Sequence, residues 1–183
     1  MCSSDLIENC PFQASFKEVR RTGRIETVLA EGALFRDERG RLRTDFRSVG
    51  RQVSINLTRV LDPVARSVVL LNHDDQSFVT MDADFEGDET RYWTSSMTSR
   101  QIPAESLGVG STRKTIEGLD CYLLIMDSHL EYEVWVSHRL GYAVREQVRD
   151  QDGLRIWMLT SIKLGEIDPA VFSLHPGNLR ATA

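Results

Sequence analysis

Long apolar runs are missing from this sequence. None approaches the roughly 20 consecutive residues that a membrane-spanning helix needs, so no transmembrane segment is expected. Almost no segment repeats apolar residues at helical spacing, which argues against a helical bundle. There is no G-x-S-x-G elbow, no glycine-rich phosphate loop opening a helix, and no internal repeat or heptad. Cysteine is scarce: Cys2, Cys10 and Cys121 match no zinc or redox spacing. Cys121 lies in the apolar run Leu119 to Met126 and reads as a buried, inert thiol. A Cys10–Cys121 bridge stays open, since sequence alone cannot pair two cysteines. Excess positive charge is also absent. The net charge of -5 argues against a general polyanion binder, so no nucleic-acid partner is expected, and no cofactor either.

What is present is short-period alternation broken by turn residues. At 183 residues the chain suits a single domain. Strands are expected over Phe12 to Arg21, Ile25 to Ala30, Ala33 to Arg36 and Arg41 to Arg47. Glu31-Gly32 reads as a turn or bulge, and Asp37-Glu38-Arg39-Gly40 as a hairpin closed by a positive-φ glycine. Further strands follow over Gln52 to Arg59, Ser67 to Leu71, Ser77 to Met81 and Leu119 to Asp127, with one more bracketed by Leu107-Gly108 and Ile116-Glu117-Gly118. Residues 82–106 are rich in Asp, Glu, Ser and Thr and read as a mobile loop or lid. Residues 1–11 carry neither the basic nor the apolar region of a signal peptide and read as foreign to the fold or disordered; the tail 178–183 reads as disordered. The single β domain is expected to span residues 12–177.

The tail Glu131 to Gly177 is the most informative stretch. Tyr132, Val134 and Val136 alternate on one side of a first run, and Leu154, Ile156, Met158, Thr160, Ile162 and Leu164 on one side of a third. Leu140-Gly141-Tyr142 and Asp150-Gln151-Asp152-Gly153 supply turns so short that the strands must be antiparallel neighbours. Asp168-Pro169 starts a helical turn, with aspartate as cap and proline at the first helical position. That turn should drive Val171 and Phe172 into the apolar face of the sheet. In all, about nine or ten strands point to a mostly β fold: a sandwich, a barrel or a strongly curved sheet.

Candidate chemistry is thin. His73-Asp74-Asp75 is the best metal-like cluster, but adjacent residues cannot all face one ion and these types are ordinary turn formers, so no metal site is expected. His129 with Glu131 and Glu133, or His138 alone, would be the acid–base groups of a hydrolase; no nucleophile sits near them in a recognisable motif, and no catalytic residue is assigned. Arg39, Arg41, Arg43 and Arg47 form a basic stripe that could meet phosphate headgroups, though cross-strand pairing with acids is the plainer account. Trp135 and Trp157 fall opposite the main apolar registers of their strands and would face a groove, or else cover the outer surface or the edge of the core. Tyr92 and Trp93 would dock locally or offer the loop a ligand-facing patch.

Several short motifs recur in one order: Arg36-Asp37 with Gly40-Arg41 and Arg43, Asp62-Pro63-Val64-Ala65, Leu107-Gly108 with Ile116-Glu117-Gly118, Trp135-Val136-Ser137 with Leu140-Gly141, and Asp168-Pro169-Ala170-Val171-Phe172. Together they resemble the exported bacterial proteins related to outer-membrane lipoprotein-sorting proteins, the LolA/LolB-like group, from about Phe12 to Gly177. The resemblance implies a single curved antiparallel sheet, an incomplete barrel around an apolar concavity, without enzymatic activity. It implies a periplasmic or cell-envelope protein that takes an acyl chain or lipoprotein into that concavity; the aromatics read above from the residues themselves, Trp135, Trp157, Tyr92 and Trp93, would be the ligand contacts. An envelope sensor or protein-interaction domain is the alternative it leaves open.

Overall fold

A computed structural model of the chain describes residues 10–49, 55–82, 112–127, 132–174 and 180–181. Its first six strands are β1 Phe12–Thr22, β2 Ile25–Arg36, β3 Leu42–Ser48, β4 Asn56–Asp62, β5 Ser67–Asn72 and β6 Ser77–Asp82. The others are β7 Arg113–Ile116, β8 Leu119–Asp127, β9 Tyr132–Ser137, β10 Tyr142–Asp150, β11 Gly153–Leu164 and the two-residue β12 Arg180–Ala181. All belong to one sheet, in the order β12-β6-β5-β4-β3-β2-β1-β11-β10-β9-β8-β7. Two meanders, β1 to β6 and β7 to β11, are joined by the antiparallel pairing of β1 with β11. The eleven long strands are antiparallel throughout; only β12 runs parallel, against Ser77 and Phe78 of β6. The sheet does not close, since β7 ends it on one side and β12 with β6 on the other. This is the mostly β, open, single-sheet architecture expected.

The turns form for local reasons. The Asp37 carboxylate accepts the backbone N–H groups of Arg39 and Arg41 at 3.0 and 2.8 Å, while Gly40 takes φ 79°. Asp150 accepts from Asp152 N–H at 2.8 Å in the β10–β11 turn, where Gly153 takes φ 131°. Glu31-Gly32 is not a turn: β2 runs straight through it. A Cβ at Gly32 would lie 1.8 Å from the Asp45 carbonyl oxygen and 2.7 Å from the Phe16 ring. Glycine is needed there because the ring crosses the strand, and the bulge lies nearby, where Glu18 faces Ala30 but Val19 faces Val28.

The sheet curls toward one face. Arg36 on β2 donates to the Leu140 carbonyl at 2.6 Å, although β1 and β11 lie between β2 and β10. Three strand spacings across a flat sheet would be about 14 Å. The Phe12 and Tyr142 rings likewise meet edge-on at 5.5 Å across the intervening β11. This inner face holds the main core: Phe12, Phe16, Leu34, Leu140, Tyr142 and Leu159 are all buried there, with Leu61 and Val68 at one flank and Leu119 and Cys121 at the other. A second cluster, Val134, Val136 and Ala143 with Tyr122 and Tyr132 packed against it, contains the Tyr132–Val134–Val136 register read from the sequence.

The segment Pro169–Phe172 forms a 3-10 turn capped as expected, with Asp168 accepting from Ala170 N–H at 2.9 Å. It packs Phe172 on the opposite, outer face of the sheet. Arg43 donates to the Val171 carbonyl at 2.7 Å, and the Arg41 guanidinium lies 4.7 Å from the Phe172 ring centroid. No bridge joins Cys10 to Cys121. Burial pushes the Cys121 thiol up to about 12.

Two outcomes test this packing. Gly32→Ala should lower stability by about 1–3 kcal/mol in urea unfolding, since strand or ring must move. Cys121 should resist alkylation at pH 8 in the folded protein and react once it is unfolded in urea.

Candidate functional site

The inner face is filled at one end and partly open at the other. At the filled end Phe12, Leu140 and Tyr142 are all buried. Further along, an aromatic row crosses four strands: Phe46 of β3 stacks on Phe16 of β1 at 6.3 Å, over Gly32 of β2, and Phe16 stacks on Trp157 of β11 at 6.0 Å. Phe16 is buried, whereas Phe46 and Trp157 are half-buried. Leu70, Leu123, Ile116 and Ile162 also pack on this core while keeping some exposed surface. The row therefore forms an apolar surface with a solid floor.

Both tryptophans belong to the main core cluster, and Trp135 lies opposite the Val134–Val136 register, which forms the second cluster. Trp135 is 9% exposed, with the Lys114 ammonium 5.9 Å from its ring, and Trp157 caps the aromatic row. A bulge also divides the register read for β11. Gln13 pairs with Lys163 but Ser15 with Thr160, and Ser161 takes φ 52°, so an extra residue enters β11. Alternation slips there: Trp157, Leu159 and Ile162 reach the core together, across the register expected to unite Leu154 through Leu164. A second shift in β10, between Ala143 and Arg145, lies opposite Trp135. Tyr92 and Trp93 fall outside the described residues, as do His129, Glu131 and almost all of the proposed lid at 82–106.

One carboxyl group stands out. Glu146 of β10 is the cross-strand partner of Trp157 on one side and Val134 on the other. Its Oε2 accepts a hydrogen bond from the Tyr132 hydroxyl at 3.4 Å, and its Oε1 is buried with no partner among the described residues. Burial raises its carboxyl to about 8, opposed by the Tyr132 hydrogen bond, with a further rise from Glu18. Glu18, opposite Trp157 on β1, is ion-paired to Arg155. Sequence reading missed Glu146, because it sits in the charged run Arg145-Glu146-Gln147 that looks solvated.

The other candidates resolve into structural contacts. The Thr58 hydroxyl donates to Asp45 at 2.7 Å and lies 2.8 Å from His73 Nε2. Its one proton is thus committed to Asp45 and His73 must donate, the reverse of nucleophile activation; Thr58 is also 1% exposed. Asp74 and Asp75 accept backbone N–H groups of Asn56 and Ser77, as turn residues do. No group of three or more metal-ligating side chains occurs among the described residues. His138 stacks on Tyr122 at 4.1 Å, and burial, then Arg113, holds its imidazole below the usual value. Glu133 accepts from Gln147 at 2.6 Å. In the basic stripe, Arg41 pairs with Asp37, Arg43 with Asp45 and Arg47 with Glu31.

The outer face carries a separate recess. A groove of about 340 Å³ lies between β4–β6 and the 3-10 turn, lined by Val60, Val69, Leu71, Phe78, Phe172 and Leu174. Asp62, Ser67 and Thr80 add polar groups to its lining.

The buried carboxyl makes stability depend on pH. Unfolded Glu146 ionises near 4.5, whereas the folded protein keeps the proton to about 8. The folded state therefore binds more protons in that window, and its stability falls as pH rises, by at most about 1.4 kcal/mol per pH unit for this group. Glu146→Gln should match the wild type near pH 4.5 and exceed it in urea unfolding above pH 8.

No family model matches the chain, and no curated protein does. Solved structures do. An uncharacterized conserved protein from Thermus thermophilus matches at 9% identity and a TM-score of 0.58, covering 96% of this chain and 91% of that one. MucB matches at 11% identity and a TM-score of 0.47, over 93% of this chain and 59% of its own; MucB is also solved in complex with MucA(peri). A LolA superfamily protein from Nitrosomonas europaea matches at 8% identity and a TM-score of 0.40, over 91% of each chain. At such identities the match to the Thermus thermophilus protein shows the fold alone, an open antiparallel sheet.

Proposed function

We propose that this chain is a non-enzymatic protein of the bacterial periplasm or cell envelope that binds an apolar ligand, an acyl chain or the acyl chains of a lipoprotein, on the inner face of its sheet. The observation that supports this is the aromatic row Phe46–Phe16–Trp157, which carries the buried core outward into partly exposed surface. An acyl chain laid along it gains about 0.8 kcal/mol per CH₂ removed from water, so area alone suffices for a long chain. Trp157 is the contact of the ligand and Trp135 part of the floor beneath it. Tyr92 and Trp93 are proposed contacts from the segment outside the described residues. Among the described residues no helix is long and apolar enough to cross a membrane.

A second reading, a sensor or protein-interaction domain, is favoured by β7. That four-residue strand has a neighbour only on its β8 side among the described residues, and its Arg113, Lys114 and Thr115 are exposed. An extended peptide could add to such an edge.

Native mass spectrometry and titration with a fluorescent fatty acid separate the readings. Co-purified lipid and saturable binding are expected, and Phe46→Ala or Trp157→Ala should weaken binding about tenfold, or 1.4 kcal/mol. Phe78→Ala, in the outer groove, should leave it unchanged. An empty protein that binds no fatty acid counts against lipid carriage. Weakening by Phe78→Ala alone moves the ligand to the outer groove.

A further inference from the structure

Glu146 is placed where an acid can be kept only as the neutral form. Its backbone neighbours across the sheet are Trp157 of β11 and Val134 of β9. A carboxylate in such a place needs several donors, because an ionised group loses far more hydration than a neutral one. The described structure offers one, the Tyr132 hydroxyl at 3.4 Å, and leaves Oε1 buried with no partner among the described residues. Arg155 of β11 is engaged by Glu18, whose own negative charge from β1 opposes a second one nearby. On β10 itself, Arg145 donates to Gln147, and Gln147 donates to Glu133 of β9, so neither is directed at Glu146.

We propose that Glu146 is a pH-operated latch on the open end of the inner face. Protonated, it packs β10 against Trp157 and supports the aromatic row from the side. Ionised, it turns toward solvent, leaves a gap beside Trp157 and loosens the stack on Phe16. The step is one proton released to water, with no other bond made or broken. The consequence for ligand rests on the function proposed above: affinity at the row falls as pH rises through the ionisation. The chain thereby holds an apolar ligand in neutral or acidic surroundings and releases it in alkaline ones.

Intrinsic tryptophan fluorescence followed from about pH 6 to about pH 9.5 tests the latch without any ligand. The wild type should show a one-proton transition that Glu146→Gln lacks, the variant keeping the low-pH spectrum throughout. Tyr132→Phe, which removes the one donor, should move the transition to higher pH; Glu18→Gln, which removes the repelling charge, should move it lower. Anilinonaphthalene sulfonate, whose charge is constant over this range, should bind the wild type about tenfold more weakly at the alkaline end and Glu146→Gln equally at both ends. The same transition in Glu146→Gln, or none in a wild type whose circular dichroism is intact, overturns the latch. A transition without dye or fatty-acid binding at any pH upholds the latch and sinks the ligand reading instead. Binding that ignores pH, together with a silent fluorescence titration, does the opposite.

Discussion

The pairing of β1 with β11 is the constraint on which the rest depends. Each meander is held by short turns, but neither half buries the inner face alone. The register Phe16 with Leu159 and Glu18 with Trp157 brings residues about 140 positions apart into one sheet. It aligns Phe16 between Phe46 and Trp157, and it places Glu18 beside the Trp157–Glu146 pair. Loss of this ladder would leave two hydrogen-bonding edges and two half-cores, each an aggregation hazard.

Curvature follows from that joint. Bulges in β2, β10 and at the β1–β11 pairing add local twist, and the sheet bends until Arg36 of β2 reaches Leu140 in the β9–β10 turn. The bend fills one end of the inner face with Phe12, Leu34, Leu140 and Tyr142, so it is solid core there. Toward Phe46 and Trp157 the side chains are half-covered, and any apolar ligand on this face must use that end. The outer face is treated differently. Arg41, Arg43 and Arg47 of the basic stripe are each paired with an acid, and the Phe172 turn is pinned onto it by Arg41 and Arg43.

Much of the fold was readable from sequence because its determinants are local. Alternation in β3 and β9, the Asp37–Gly40 and Asp150–Gly153 turns, and the Asp168-Pro169 cap each depend on a few neighbouring residues. The candidate site was less readable. Trp135 and Trp157 were identified, but which face of the sheet would carry the main core was not, since that depends on strands distant in sequence. Glu146 was invisible, flanked as it is by Arg145 and Gln147 in a run that reads as solvated.

By itself, then, the sequence determined strands, turns and an all-β class, because pleat period and turn chemistry act over a few residues. Only the tertiary structure decided which strands pair, which face carries the main core, and that Glu146 is buried with one carboxyl oxygen unpartnered among the described residues. Those outcomes depend on partners more than a hundred positions away along the chain, and on bulges whose placement is settled by packing.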